Sequence, residues 1–204
     1  ILGSPTALRR TVVREIEADA KAHGDERRTV LQADKRAVAE VKVVDEPVTV
    51  VVSLKGWVRA LKGHEIDAAQ QTFKAGDALY GAFPCRSVDT LAVLGSNGRA
   101  YSVAVSVLPG GRGDGTPITT LVDLEAGTQP AHYFAGSPDT LLLLSHTGGF
   151  GLLAQASDLQ SRQRAGKTFL SLEPGEVVLP PCVVQPGHAR VAGLSRSGRL
   201  LVFP

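Results

Sequence analysis

The sequence predicts a mainly β fold of repeated, propeller-like sheet modules preceded by one N-terminal α-helix, and three observations predict it. A glycine-centred turn flanked by apolar, strand-like residues recurs at Gly56, Gly98, Gly148 and Gly198, the last three 50 residues apart. Each turn is entered from a short run rich in Val or Leu, at residues 48–53, 91–94, 141–145 and 191–194. Helical periodicity is confined to the first residues of the chain. Glycine at a fixed place in a tight turn is expected where the backbone needs a positive φ. Modules of this length, built from several short strands, fit the blades of a propeller.

The helix comes first. Ser4 and Pro5 offer an N-cap and a first helical position, Leu8, Val12, Ile16 and Ala20 share one face, and Gly24 marks the stop. About 19 residues are predicted helical, with Arg9, Arg10, Arg14, Glu15, Glu17, Asp19 and Lys21 forming a mixed-charge solvated face. One such helix cannot bury its apolar stripe alone. A charged connector leads to Glu46, and from Val48 onward each turn joins two strands of a hairpin. Polar, glycine-rich excursions follow at residues 62–76, 108–115 and 157–166, with further strand candidates at 78–83, 118–124 and 168–172. Three modules are complete in this reading and a fourth is begun. Ile1 in place of methionine, and an end at Pro204 just past the fourth turn, read as a piece of a longer protein.

Composition bounds the chemistry. At 204 residues with 43% apolar residues, 22 Gly and 12 Pro, the chain reads as a turn-rich globular protein with a real core. It has no run approaching the ~20 apolar residues of a membrane span and no signal-peptide pattern, so a cytoplasmic location is expected. Cys85 and Cys182 each follow a proline at similar offsets in different modules, which reads as two small core residues rather than a disulfide or metal pair. The five histidines lack zinc spacing, so no metal is expected; Arg112-Gly113-Asp114 reads as a turn, and no nucleophile elbow or phosphate loop occurs. His146 fits either a phosphate contact or a solvated turn residue. Trp57 fits either a DNA contact or a core anchor.

A net charge of +2 is too small to argue for nucleic acid, so distribution decides. Superposing the modules on their turn glycines groups Lys55, Arg59, Lys62 and Lys74 in the first, Arg99 and Arg112 in the second, Arg162, Arg164 and Lys167 in the third, and Arg196 and Arg199 in the fourth. Equivalent places on successive blades would form one rim, a track for a phosphate backbone. The plain alternative is cations that keep loop tips soluble. Ser161-Arg162-Gln163-Arg164-Ala165-Gly166-Lys167 is the densest run, three cations within six residues around a glycine.

Several segments resemble the A subunits of bacterial type IIA topoisomerases, on the topoisomerase IV side of that family. They are Gly24-Asp25-Glu26-Arg27-Arg28-Thr29, Glu46-Pro47-Val48-Thr49, Gly56-Trp57-Val58-Arg59, Lys62-Gly63-His64, Phe73-Lys74-Ala75-Gly76-Asp77, Arg164-Ala165-Gly166-Lys167 and Gly198-Arg199-Leu200-Leu201-Val202-Phe203-Pro204. The resemblance implies a β-pinwheel whose basic rim binds and bends duplex DNA. Residues 1–31 would then be the helix ending the breakage-reunion region, 32–46 a linker, and 47–204 the DNA-binding domain, incomplete at its C-terminus. Gln70-Gln71-Thr72-Phe73-Lys74-Ala75-Gly76-Asp77 stands where gyrase carries its arginine-rich QRRGGKG box, and it lacks the arginine pair. That departure implies topoisomerase IV, with a role in decatenation, rather than the equivalent gyrase domain. The resemblance further implies an A2B2 enzyme completed by the topoisomerase IV B subunit, magnesium and ATP bound elsewhere in that enzyme, and no catalytic residue or cofactor in this segment. A propeller-type scaffold for a partner protein is the competing reading.

Overall fold

The structure is a computed structural model that describes residues 3–25, 44–67, 70–111, 113–187 and 190–204. The chain divides into two compact units, Ile1–Val41 and Lys42–Pro204. The first contains helix α1, Pro5–His23, whose 19 residues match the predicted length. Ser4 is extended at the N-cap with φ −131°, yet its side chain makes no capping hydrogen bond. Gly24 ends the helix differently from a left-handed stop: its φ is −66°, its N–H donates to Ala20 O, and a Cβ there would lie 2.3 Å from that oxygen. Close approach of the last turn, not a positive φ, is the reason for glycine. No residue of α1 is buried. Most of the connector, and most of the Gly24–Thr29 motif, lies outside the described residues.

The second unit is mainly β, with short 3₁₀ turns at Val105–Val107, Ile118–Thr120 and Ala156–Leu159. Its strands are β1 Pro47–Ser53, β2 Trp57–Lys62, β3 Leu79–Arg86, β4 Thr90–Gly95, β5 Arg99–Ala104, β6 Thr116–Pro117, β7 Pro130–Gly136, β8 Leu141–Ser145, β9 Gly151–Gln155, β10 Lys167–Thr168, β11 Cys182–Val183, β12 Val191–Leu194 and β13 Leu200–Phe203. All four predicted hairpins form, as β1–β2, β4–β5, β8–β9 and β12–β13. The sheet orders are β3-β1-β2-β6, β10-β5-β4-β7, β11-β8-β9 and β12-β13. Beside the first strand of each of the first three hairpins lies a later strand: β3 on β1, β7 on β4 and β11 on β8. On the far side of the first two sits a two-residue strand sent back by the next module: β6 on β2, β10 on β5.

Burial follows from this arrangement. Leu91-Ala92-Val93-Leu94 in β4 is buried on both faces, as a continuous apolar run predicts for a strand between two layers. Leu91 and Val93 join Val50, Val52, Val58, Tyr101 and Tyr133 in one core cluster, while Ala92 and Leu94 join Leu142, Leu144, Leu159 and Leu170 in a second. Side chains alternating at period 2 thus couple the second sheet to both neighbours. Hydrogen bonds add a cross-sheet chain: Tyr80 Oη lies 3.0 Å from His132 Nδ1, and His132 Nε2 lies 3.1 Å from Val178 O. A carbonyl only accepts, so Nε2 bears the proton and Nδ1 takes the Tyr80 hydroxyl.

Three sequence expectations are corrected. In the third turn the left-handed residue is Gly149 at φ +86°, not Gly148, because this turn begins one residue later with Gly149 N–H bonded to His146 O. At Gly148 a Cβ would lie 1.8 Å from Glu176 Oε1, so a larger residue there would displace that carboxylate. Residues 118–124 hold a 3₁₀ turn at Ile118–Thr120 rather than a strand, and β7 was not anticipated. Cys85 is buried in β3, whereas Cys182 is exposed on the edge strand β11, so the matched core thiols are one core residue and one surface residue.

Candidate nucleic-acid interface

The tip of the first hairpin is built around a carboxylate. Asp77, from the excursion, accepts hydrogen bonds from Ser53 Oγ at 2.7 Å, Lys55 N at 3.0 Å and Ala78 N at 2.9 Å. Desolvation pushes its pKa up, but the bond from Ser53, the two backbone N–H groups and the Lys55 charge together outweigh it and hold the carboxyl below its ordinary value. A depressed folded pKa stabilises the fold above the unfolded pKa, and that contribution is lost as pH falls through the folded value. Thermal midpoints measured from pH 6 to pH 3 are therefore expected to fall below about pH 4 in the native chain, and to fall less steeply in Asp77→Asn.

The same tip gathers Lys55, which is exposed, and Lys74, whose Nζ stands 3.4 Å from the centroid of the Trp57 ring and 4.0 Å from Asp114 Oδ2. Trp57 itself is half-buried, with Pro117 of β6 opposite it in the sheet, so it serves as an anchor between modules that also carries a cation. Lys62 is exposed and paired with Glu46 at 3.0 Å.

Arg59 does not belong to an exposed rim. It is 6% exposed, and its guanidinium donates to Gly113 O, to Gln71 Oε1 at 3.1 Å and to Thr72 O at 3.2 Å, beside the Phe73 ring. Buried on β2 among carbonyls, it is occupied by the protein's own acceptors. Arg99 is also turned to internal work: Nε donates to Ala165 O at 3.2 Å, Nη2 to Gly166 O at 3.0 Å and Nη1 to Thr168 Oγ1 at 3.2 Å, with Glu125 Oε1 at 3.3 Å. Arg112 lies outside the described residues.

The dense basic run sits in space on the second sheet rather than the third. Lys167 and Thr168 form β10, paired with Ala100 and Arg99. Arg162, Arg164 and Lys167 are exposed; Arg164 donates to Thr120 O at 3.0 Å and lies 3.6 Å from Asp123, and Lys167 Nζ is 5.0 Å from the Phe169 ring centroid. Exposed pairs such as Arg164–Asp123 contribute only about 0–1 kcal/mol, so phosphate can exchange with the carboxylate. Arg196 and Arg199 are exposed at the fourth turn. The structure thus brings Lys55 and Lys74 together at one tip and Arg162, Arg164 and Lys167 on one loop.

His146, which the sequence left between phosphate contact and solvated turn, is neither. It is 5% exposed, with Nδ1 3.0 Å from Glu176 Oε2 and 3.2 Å from Gly148 N, and its ring stacks on Phe150. Asp77 and Glu176 carry no sequence signal for this role beyond following Gly76 and Gly175, both of positive φ. Among the described residues no helix is long and apolar enough to cross a membrane.

No family model matches the chain. Its full length aligns with the A subunit of DNA topoisomerase 4 from Neisseria gonorrhoeae at 36% identity over 214 residues, from Escherichia coli K12 at 36% over 207, and from Pseudomonas aeruginosa at 38% over 207. The chain spans 27–28% of the length of these relatives. Among solved structures it is similar to the E. coli ParC C-terminal domain, at 37% identity and TM-score 0.73, over 78% of this chain and 65% of that one. A DNA gyrase A C-terminal domain, at 17% identity and TM-score 0.51 over 77% of this chain and 54% of that one, shares the fold alone. Agreement in sequence along the whole chain and in sheet architecture over most of it places the chain in the topoisomerase IV A-subunit family, in the part that forms the β-pinwheel C-terminal domain.

Proposed function

We propose that this segment binds and bends duplex DNA and thereby steers an ATP-dependent type IIA topoisomerase that decatenates and relaxes DNA. The observation that carries the reading is the loop from Ser161 to Thr168, which presents Arg162, Arg164 and Lys167 to solvent from a fixed seat on the second sheet. Lys55, Lys62, Lys74, Arg196 and Arg199 supply further exposed charge. Each neutralised phosphate releases counterions, so contacts of this kind give affinity without sequence preference. In this reading residues 1–31 end the breakage-reunion region, 32–46 are a linker and 47–204 are the DNA-binding domain. The cleaving tyrosine, magnesium and ATP sites lie in other parts of an A2B2 assembly shared with the B subunit, in the cytoplasm at the nucleoid.

Salt titration of duplex binding tests it. Log affinity is expected to fall linearly with log salt, with a slope of about 0.9 per phosphate contact. Arg164→Ala with Lys167→Ala should reduce that slope by about 2 and weaken binding to unrelated duplexes to the same degree. Affinity that ignores salt, or a double variant that binds as tightly as the native chain, would instead favour a scaffold for a partner protein.

A further inference from the structure

Arg59 and Arg99 lie on equivalent strands of successive sheets, at different positions: counted from the turn glycines, Arg99 stands where Trp57 does and Arg59 where Tyr101 does. Each lies on the strand, β2 or β5, that receives the two-residue strand of the next module, and each spends its guanidinium on loop backbone beside that junction. For Arg99 the loop is the basic one. Its three donors fix Ala165, Gly166 and Thr168, while Ser102 Oγ clamps the other end, accepting from Ser161 N at 2.9 Å and donating to Ser161 O at 2.9 Å. Between the clamps, Gly166 N–H bonds to Gln163 O at 3.1 Å, and Gly166 packs so closely that a Cβ would lie 2.6 Å from Ala100 O. Arg162 and Arg164 are held between these pinned points.

We propose that Arg99, with Ser102, is a positioning residue: it contacts no phosphate but preorganises the 161–168 loop, so that its cations meet the DNA backbone without first losing conformational freedom. Arg59 braces the first sheet's excursion, next to Lys74, in the same way. Ordering a segment before binding removes that entropy cost from the binding step. Lysine cannot replace the arginine, because one ammonium cannot span three acceptors set around a planar fork. The proposal rests on the DNA-binding reading of this loop.

The test uses the intact chain with Arg99→Gln, Arg99→Lys and Ser102→Ala, the last removing no charge. Two readouts are taken: duplex affinity across salt concentrations, and the rate of tryptic cleavage after Arg164 and Lys167, with cleavage after Arg199 on another hairpin as internal reference. All three variants are expected to be cut faster in the loop, relative to Arg199. They should also bind DNA about fivefold more weakly with an unchanged salt slope, since no phosphate contact is lost. In the Arg162→Ala, Arg164→Ala, Lys167→Ala background, Arg99→Gln should then add no further loss. A slope reduced by about 0.9 in Arg99→Gln but retained in Arg99→Lys would make Arg99 a direct phosphate contact and overturn the proposal. Unchanged loop cleavage would overturn it through the brace. Faster cleavage in a chain whose native form binds no duplex would overturn it through its DNA premise.

Discussion

Gly98→Ala is expected to lower the thermal midpoint by about 10 °C, whereas Gly127→Ala lowers it by only about 2–4 °C. Both glycines have φ near +80°, at +76° and +80°, so both variants force an L-residue into the left-handed region at about 1–2 kcal/mol. They differ in their surroundings. Gly127 has nothing within 4 Å of where a Cβ would stand, while a Cβ on Gly98 would lie 2.1 Å from Leu170 O. That oxygen belongs to a segment whose Phe169 and Leu170 N–H groups both donate to Gly98 O, at 3.1 and 3.0 Å. The added methyl therefore pries the third module's chain from the second sheet and opens the core around Leu170, for a total cost of about 3–5 kcal/mol. Equal midpoints for the two variants, measured by calorimetry, would show that backbone conformation alone sets the penalty and that the close approach is dispensable.

Tyr101→Ala is expected to cost about 3–5 kcal/mol, the range for removing a large buried ring. Tyr101 is fully buried, in the cluster that also holds Val93 and Tyr133. One edge of its ring lies 2.7 Å from the position a Gly166 Cβ would take, so it also supports the basic loop. Its hydroxyl contributes little: the contact from Asn97 Nδ2 is long, at 3.4 Å. Tyr101→Phe should accordingly cost less than about 1 kcal/mol. Urea titrations should show a lower midpoint with unchanged m for the alanine variant. An alanine variant as mild as the phenylalanine one would mean the ring's cavity is filled by relaxation of the second sheet.

The hairpins were legible because Val- and Leu-rich runs ending in a glycine turn carry both a period and a stop. The third turn misled by its doubled glycine: Gly148 and Gly149 look interchangeable, and only the Glu176 carboxylate and the sign of φ separate them. Strand β7 was hidden because Pro130, His132 and two alanines blur its alternation, although Tyr133 and Ala135 are buried. Strands β6 and β10 have two residues each, too few for any periodicity, and pair across about 60 to 70 residues of sequence. The cations were legible as charge but not as partners. Nothing in the letters distinguishes Arg59, enclosed by carbonyls, from Arg196, which is exposed.

The backward loan of β6 and β10 has a consequence for how the chain matures as it leaves the ribosome. The first hairpin is finished at Lys62, yet its sheet gains its last strand only when Thr116–Pro117 has been synthesised, and the second, closed at Ala104 on its hairpin side, waits for Lys167–Thr168. Translation therefore always runs about one unit ahead of completed structure, and a nascent chain carries one unsealed border until its successor arrives.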